Sequence, residues 1–269
     1  MGFYGNSFIF DGISSEIYDL RIFDFNKSNP ENSPAGGNVN IQEEWIYRRE
    51  VPYFYGRYYS NSLEFDFVVG SFSYIDGITR NAIERWLLGR STYLPLRIVQ
   101  NDISDIVYNV IITASSHQYI GNLNYALSLH AKCDRPWGIS YPPLLTKSYT
   151  SGSANETFDY INYSAYDGYN RPVITFTTGS LGGNFSITNN SDISGSVVGR
   201  TCSFSDIAPN ETVTVDNDKG IISCTSGSLL MNRFNKNFFQ TVKGVNNVTV
   251  SGSITNFTLS AIFPKGVGA

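Results

Sequence analysis

The sequence predicts a mainly β protein of two domains, the first of them carrying a single α-helix. Three observations lead there. Short apolar runs separated by turn residues fill most of the 269 positions, helical periodicity is confined to one stretch near residues 78–88, and the texture changes near residue 138. All three tryptophans, Trp45, Trp86 and Trp137, lie before that change; after it Ser, Thr, Asn and Gly alternate with small apolar groups. Charged residues are 16% of the chain against the ~25% of an average soluble domain, while aromatics reach 14%. Such a composition favours strands and protein interfaces over disorder.

In the first half, Phe8-Ile9-Phe10 runs into the turn pair Asp11-Gly12, and Leu20 to Phe25 reads as a second strand. Residues Asn26 to Asn40 hold Asn, Ser, Pro and Gly with little to bury, so an exposed loop is expected there. Leu63 to Phe72 looks extended. The helix follows: Ile78, Ala82, Ile83, Trp86 and Leu87 recur at helical spacing, with Arg80, Glu84 and Arg85 opposite. Asp76 or Thr79 suits its start and Gly89 a left-handed stop. Leu96–Val99 and Val107–Ile112 flank a polar turn as a hairpin, and Leu123–His130 alternates as another strand.

Pro136, Pro142 and Pro143 around Gly138 mark a junction, giving domains 1–138 and 139–269. Beyond it, Phe158–Ile161, Val173–Phe176, Phe185–Ile187, Thr212–Val215, Gly220–Cys224, Val248–Val250 and Phe257–Leu259 read as short strands. Their irregular spacing of roughly ten residues is that of a sandwich or jelly roll.

Net charge is −4, with 11 basic and 15 acidic residues up to position 138 and 8 of each after it, so no basic field attracts nucleic acid. No stretch approaches the ~18 apolar residues of a membrane helix, and no secretory leader is expected. Cys133, Cys202 and Cys224 are too few for a disulfide scaffold; reduced packing thiols are expected, with a Cys202–Cys224 pair as the alternative. His130 and Cys133 point to opposite faces of a continuing strand, which argues against zinc. The segment Asp216–Gly220 lacks the closing Glu of a calcium loop and reads as a turn between strands. Gly179–Gly183 has no following Lys and reads as a hairpin loop. No Gly-x-Ser-x-Gly elbow presents a nucleophile, and the pair Glu43/Glu44 has no partner that would make it a general acid and base. No cofactor and no catalytic residue is expected.

One spacing stands out. Tyr160, Tyr163, Tyr166 and Tyr169 recur every third residue, ending beside Asn170. They are candidate contacts either for a sugar, by ring stacking with Asn and Asp reading hydroxyls, or for a protein partner.

The order of these elements resembles the distal tail proteins of long-tailed bacteriophages. The opening Phe8–Leu20, the helix ending Arg85-Trp86-Leu87, the hairpin Leu96–Val99 with Val107–Val110, and Cys133-Asp134-Arg135-Pro136-Trp137 follow that family's first domain. Glu211–Asp216, Met231–Phe239 and Val242–Gly252 follow its C-terminal texture. The resemblance implies a homohexameric ring formed by a β-barrel-like first domain, and an outward galectin-like or carbohydrate-module-like sandwich. It implies the tail tube protein and tail-tip, fibre or receptor-binding proteins as partners, a place at the distal end of the tail in the virion, and no catalytic residue. The segment Asn26–Asn61, with Trp45 and the Tyr53/Tyr55/Tyr58/Tyr59 cluster, is where departure from a minimal member is expected. The alternative from another class is a carbohydrate-binding module or adhesin that recognises host cell-wall sugars.

Overall fold

The computed structural model describes residues 7–23, 39–59, 61–100, 105–142, 144–150, 152–165, 167–194, 197–228 and 230–265. The chain divides into two compact units, Met1–Ser140 with Lys265–Ala269, and Tyr141–Pro264.

The first unit opens with β1 (Ser7–Phe10) and β2 (Ile13–Ser14). Asp11 and Gly12 between them take φ of 53° and 74°, the two positive values that a tight right-twisting hairpin demands and that Asp and Gly tolerate. Then come β3 (Arg21–Phe23), β4 (Val39–Glu44), β5 (Tyr53–Tyr59), β6 (Glu64–Gly70), α1 (Gly77–Leu88), β7 (Leu94–Val99), β8 (Ile106–Ile120), β9 (Leu123–Cys133) and β10 (Gly138–Ser140). The main sheet runs β2-β1-β7-β8-β9-β6-β3, with β10 on β8, and it curls so that β3 returns beside β1. Period-two alternation turns Phe65, Phe67 and Val69 of β6, Tyr108, Val110 and Ile112 of β8, and Leu127, Leu129 and Ala131 of β9 into one core.

Helix α1 closes that core. The Asp76 carboxylate accepts the Ile78 and Thr79 amides at 2.8 Å each, satisfying two otherwise unpaired donors of the first turn. Trp86 stacks on Phe8 and Tyr18 with ring centroids 5.7 and 5.4 Å away, and its indole N–H donates to the Phe10 carbonyl at 3.2 Å. The buried stripe is Ile83, Trp86 and Leu87. Ile78, expected on that face, is 86% exposed, because ~100° per residue places it roughly 130° from the centre of the stripe. Gly89 does not stop the helix in the left-handed region: its φ is −76°. A glycine suits the position for another reason, since a Cβ there would run into the Arg85 carbonyl.

Part of the loop expected over residues 26–61 is ordered. Residues 26–38 lie outside the described residues, but β4 and β5 form an antiparallel hairpin in register from Val39↔Tyr59 to Glu44↔Tyr53. The alternation of β5 is hidden because Tyr53, Phe54 and Tyr55 are consecutive, which puts aromatic groups on both sides of that strand.

The second unit holds β11 (Leu145–Ser148), β12 (Ala154–Asn162), β13 (Val173–Thr178), β14 (Gly183–Ser194), β15 (Val197–Ile207), β16 (Thr212–Asp216), β17 (Ile221–Cys224), β18 (Gly244–Gly252) and β19 (Ile254–Ser260), and the last strand is β20 (Phe263–Lys265). A five-stranded sheet β11-β19-β13-β16-β17 faces a four-stranded sheet β12-β18-β14-β15. The two inner faces meet through Phe176 of β13 stacked on Phe185 of β14, centroids 3.8 Å apart, with Phe204, Phe257, Val213 and Val250 around them. The Gly179–Gly183 segment is not a hairpin loop. It carries the chain from β13 in one sheet to β14 in the other. All three cysteines are free, Cys133 and Cys202 within the cores.

Candidate functional site

The tyrosine segment leaves β12 and is held at several points. Tyr160 is half-buried, and both it and Tyr163 pack against the buried ring of Phe263, at 6.4 and 6.1 Å. Burial pushes the Tyr160 hydroxyl well above its ordinary value. Tyr163 is 57% and Tyr169 48% exposed. The Tyr169 hydroxyl donates to Asp192 at 3.0 Å, which raises its own pKa. Tyr166 lies outside the described residues. Asn170 pairs with Thr241 through both backbone groups and donates its side-chain amide to the Ile262 carbonyl at 2.7 Å. The structure therefore seats Tyr160 and Tyr163 on one support and Tyr169 on another.

Beneath them runs a buried polar network that sequence reasoning missed. Asn162, Asn189, Asp192, Gln240, Thr241 and Asn246 are each almost wholly out of water. Asp192 takes hydrogen bonds from Tyr169 and from Gln240 (3.1 Å), and Arg200 lies 3.6 Å away. Asn246 is bonded to Asn189, Val242 and Gly244. Buried amides that meet their bonding needs fix loops rigidly, so Tyr160–Asn162 and Tyr169–Asn170 are tethered. The signal for this network in the sequence was only a concentration of Asn between short strands.

The other conspicuous surface is the β4–β5 hairpin. Val39, Ile41, Trp45, Ile46, Tyr47, Val51, Tyr53, Phe54, Tyr55 and Tyr58 are all exposed, Tyr47 at 87% and Trp45 at 63%. Local bonds hold the arm: Trp45 Nε1 to Glu43 at 3.2 Å, the Tyr55 hydroxyl to Glu44 at 3.1 Å, and Arg49 over the Tyr53 ring at 3.6 Å. The pair Glu43/Glu44 is thus engaged in fastening aromatic side chains. A two-stranded hairpin is marginal in water by itself, and one with apolar groups on both faces is built to be covered.

Elsewhere the chemistry is structural. His130 bonds Asp66 at 2.7 Å while Cys133 sits in the core. Asp216 accepts the Asp218 and Lys219 amides and closes the β16–β17 turn. Among the described residues no group of three or more His, Cys, Asp or Glu side chains is placed to hold a metal, and no helix is long and apolar enough to cross a membrane.

Residues 3–135 match the family model described as phage tail protein N-terminal domain, and residues 144–260 the phage tail C-terminal domain. No curated protein matches the sequence. Among solved structures, the chain is similar to Dit (gp 19.1) of phage SPP1, described as a paradigm of hub adsorption apparatus in phages infecting Gram-positive hosts. There the TM-score is 0.67 at 14% identity, covering 96% of this chain and 98% of that one. It is also similar to chains of the phage P2 baseplate in its activated conformation with Ca (TM-score 0.52, 8% identity, 97% and 98% covered) and of the phage p2 baseplate with Sr (0.53, 8%, 95% and 97%). With both halves matched in order and the fold shared along nearly its whole length, the chain belongs to the phage tail proteins and has the fold of the Dit hub.

Proposed function

We propose that this protein is a structural distal tail hub. Copies of residues 1–138 assemble into a homohexameric ring between the tail tube protein and the tip or baseplate. The sandwich of residues 139–269, galectin-like in this reading, faces receptor-binding or fibre proteins. The assembled protein sits at the distal end of the tail in the virion. The observation that carries the proposal is the β4–β5 hairpin: ten large apolar side chains exposed on one arm exceed what a monomer leaves in water. Repeated contact of one arm with the next copy is a heterologous interface, the kind that closes into rings.

Within this reading Tyr160, Tyr163, Tyr166, Tyr169 and Asn170 are partner contacts. The alternative, a carbohydrate-binding module or adhesin for host cell-wall sugars, draws on the exposed rings of Tyr163 and Tyr169. Their separate supports favour docking to protein over a continuous stacking platform.

Negative-stain microscopy and mass photometry of the purified full chain test the proposal. Rings of six are expected, and the double variant Ile41→Asp/Phe54→Asp is expected to yield monomers with an unchanged far-UV spectrum. A wild-type chain that stays monomeric at high micromolar concentration, with no rings, refutes it.

A further inference from the structure

A cleft of about 450 Å³ opens on the outer face of the four-stranded sheet, across β18, β14 and β15. Residues 232–235 form one side of it by pairing with the free edge of β15. The Ser205 amide donates to the Arg233 carbonyl at 2.9 Å and the Asn235 amide to the Ser203 carbonyl at 3.0 Å. Phe234 stacks on Phe204 at 4.7 Å underneath. Strand register then sets Ser251, Ser186, Ser203 and Asn235 in one row across the floor, with Ser205 and Arg233 in the next.

Hydroxyls and amides line the cleft together with the buried rings of Phe185, Phe204 and Phe234. Ser186 and Ser251 share one hydrogen bond of 2.7 Å. Among the described residues, the hydroxyls of Ser203 and Ser205 and the Asn232 amide make no side-chain hydrogen bond. Arg233 gives one guanidinium nitrogen to the Asp206 carbonyl, which fixes the group and leaves the other nitrogens available. No carboxylate lines the cleft, and Arg233 has no ion-pair partner among the described residues. Groups that both donate and accept match the vicinal hydroxyls of a sugar. A held guanidinium matches a planar pair of oxygens on a carboxylate or phosphate. The volume lies within the roughly 300–1,000 Å³ of small-molecule sites.

We propose that this cleft binds a saccharide unit bearing an oxyanion, a sugar phosphate or a uronate, with Arg233 on the anion and Ser203, Ser205 and Asn232 on the hydroxyls. The site is separate from the tyrosine segment and does not depend on ring assembly. No exposed aromatic ring lines it, so each copy binds weakly, and several copies on one particle raise the effective affinity.

Saturation-transfer NMR and calorimetry on the full-length protein test this with four probes: glucose 1-phosphate, glucuronate, glucose and inorganic phosphate. Glucose 1-phosphate and glucuronate are expected to bind at least tenfold more tightly than glucose or inorganic phosphate. Arg233→Gln is expected to abolish that preference and Ser203→Val to weaken both anionic sugars several-fold, with the circular dichroism spectrum unchanged. Lys147→Gln, on β11 of the other sheet, is expected to leave binding intact. Inorganic phosphate binding as tightly as glucose 1-phosphate overturns the saccharide assignment. Silence from both anionic sugars at millimolar concentration overturns the site, as does binding that Arg233→Gln and Ser203→Val leave unaltered.

Discussion

Replacing Asn246 with alanine tests whether the buried amide network stabilises the second unit. Asn246 is fully buried, and its side chain makes four hydrogen bonds. Nδ2 donates to the carbonyls of Val242 (2.7 Å) and Gly244 (2.9 Å), and Oδ1 accepts the Val242 amide and Asn189 Nδ2, both at 2.8 Å. Val242 and Gly244 are half-buried, so water can reach their carbonyls. The Val242 amide loses its partner, and the fully buried Asn189 Nδ2 keeps the Gln240 carbonyl at 3.0 Å but loses its second acceptor. A buried donor left without its partner costs about 1–3 kcal/mol; with one such N–H wholly buried and the other half-buried, a loss of about 2 kcal/mol is expected. At a denaturant slope of about 1–3 kcal/mol/M this lowers the urea midpoint by on the order of 1–2 M. The assay follows from the sequence: every tryptophan lies before residue 139, so tryptophan fluorescence reports the first unit while far-UV circular dichroism reports both. The variant is expected to move only the part of the transition that fluorescence does not see, because the two cores share no residue. A loss under about 1 kcal/mol would show that water satisfies these groups and would refute the reasoning.

Two further outcomes are expected. Burial pushes the Cys133 and Cys202 thiols up to about 12, so a thiol reagent at pH 8 modifies no cysteine of the native protein except Cys224, which is half-buried, and all three in urea; rapid native labelling of three thiols, counted by mass spectrometry, contradicts this. The Asp76 carboxyl is held below its ordinary 3.8, first by the Thr79 amide, so its contribution is present above that value and disappears as pH falls through the lower folded one. Asp76→Ala should therefore lower the melting temperature at pH 7 and cease to differ from wild type in strong acid, as scanning calorimetry across pH would reveal.

Much of this fold was legible because buried residues alternate where one face of a sheet is wet. β8 shows it from Ile106 to Ile112, and β18 from Val248 to Val250. The capped helix was legible from Asp76 and the apolar spacing, although Ile78 shows that spacing alone does not locate the centre of a stripe. β15 was missed for a physical reason: its outward positions are Ser and Thr and its inward ones include Cys202, so the segment Val197–Ile207 reads as a polar loop until Phe204 is seen buried against Phe176. The β4–β5 hairpin escaped for the opposite reason. Its second strand sets Tyr53, Phe54 and Tyr55 and then Tyr58 and Tyr59 at consecutive positions, so aromatic groups fall on both faces and that strand shows no period of two.

The same contrast explains the sites. A pattern of side chains along the chain states what is available, while the supports beneath decide what is presented together. Tyr160 and Tyr169 are nine positions apart in a regular spacing, yet one leans on Phe263 and the other on Asp192, a residue that no local pattern connects to either. The cleft at Arg233 inverts the case. Ser186, Ser203, Arg233 and Ser251 are far apart in sequence and individually unremarkable, and only the pairing of β14 with β15 and β18, extended by residues 233–235, sets them side by side. Regular spacing of chemically rich residues is thus a poor guide in a sandwich of short strands. Register is the better one, because it is register that brings distant hydroxyls and one guanidinium onto a common floor.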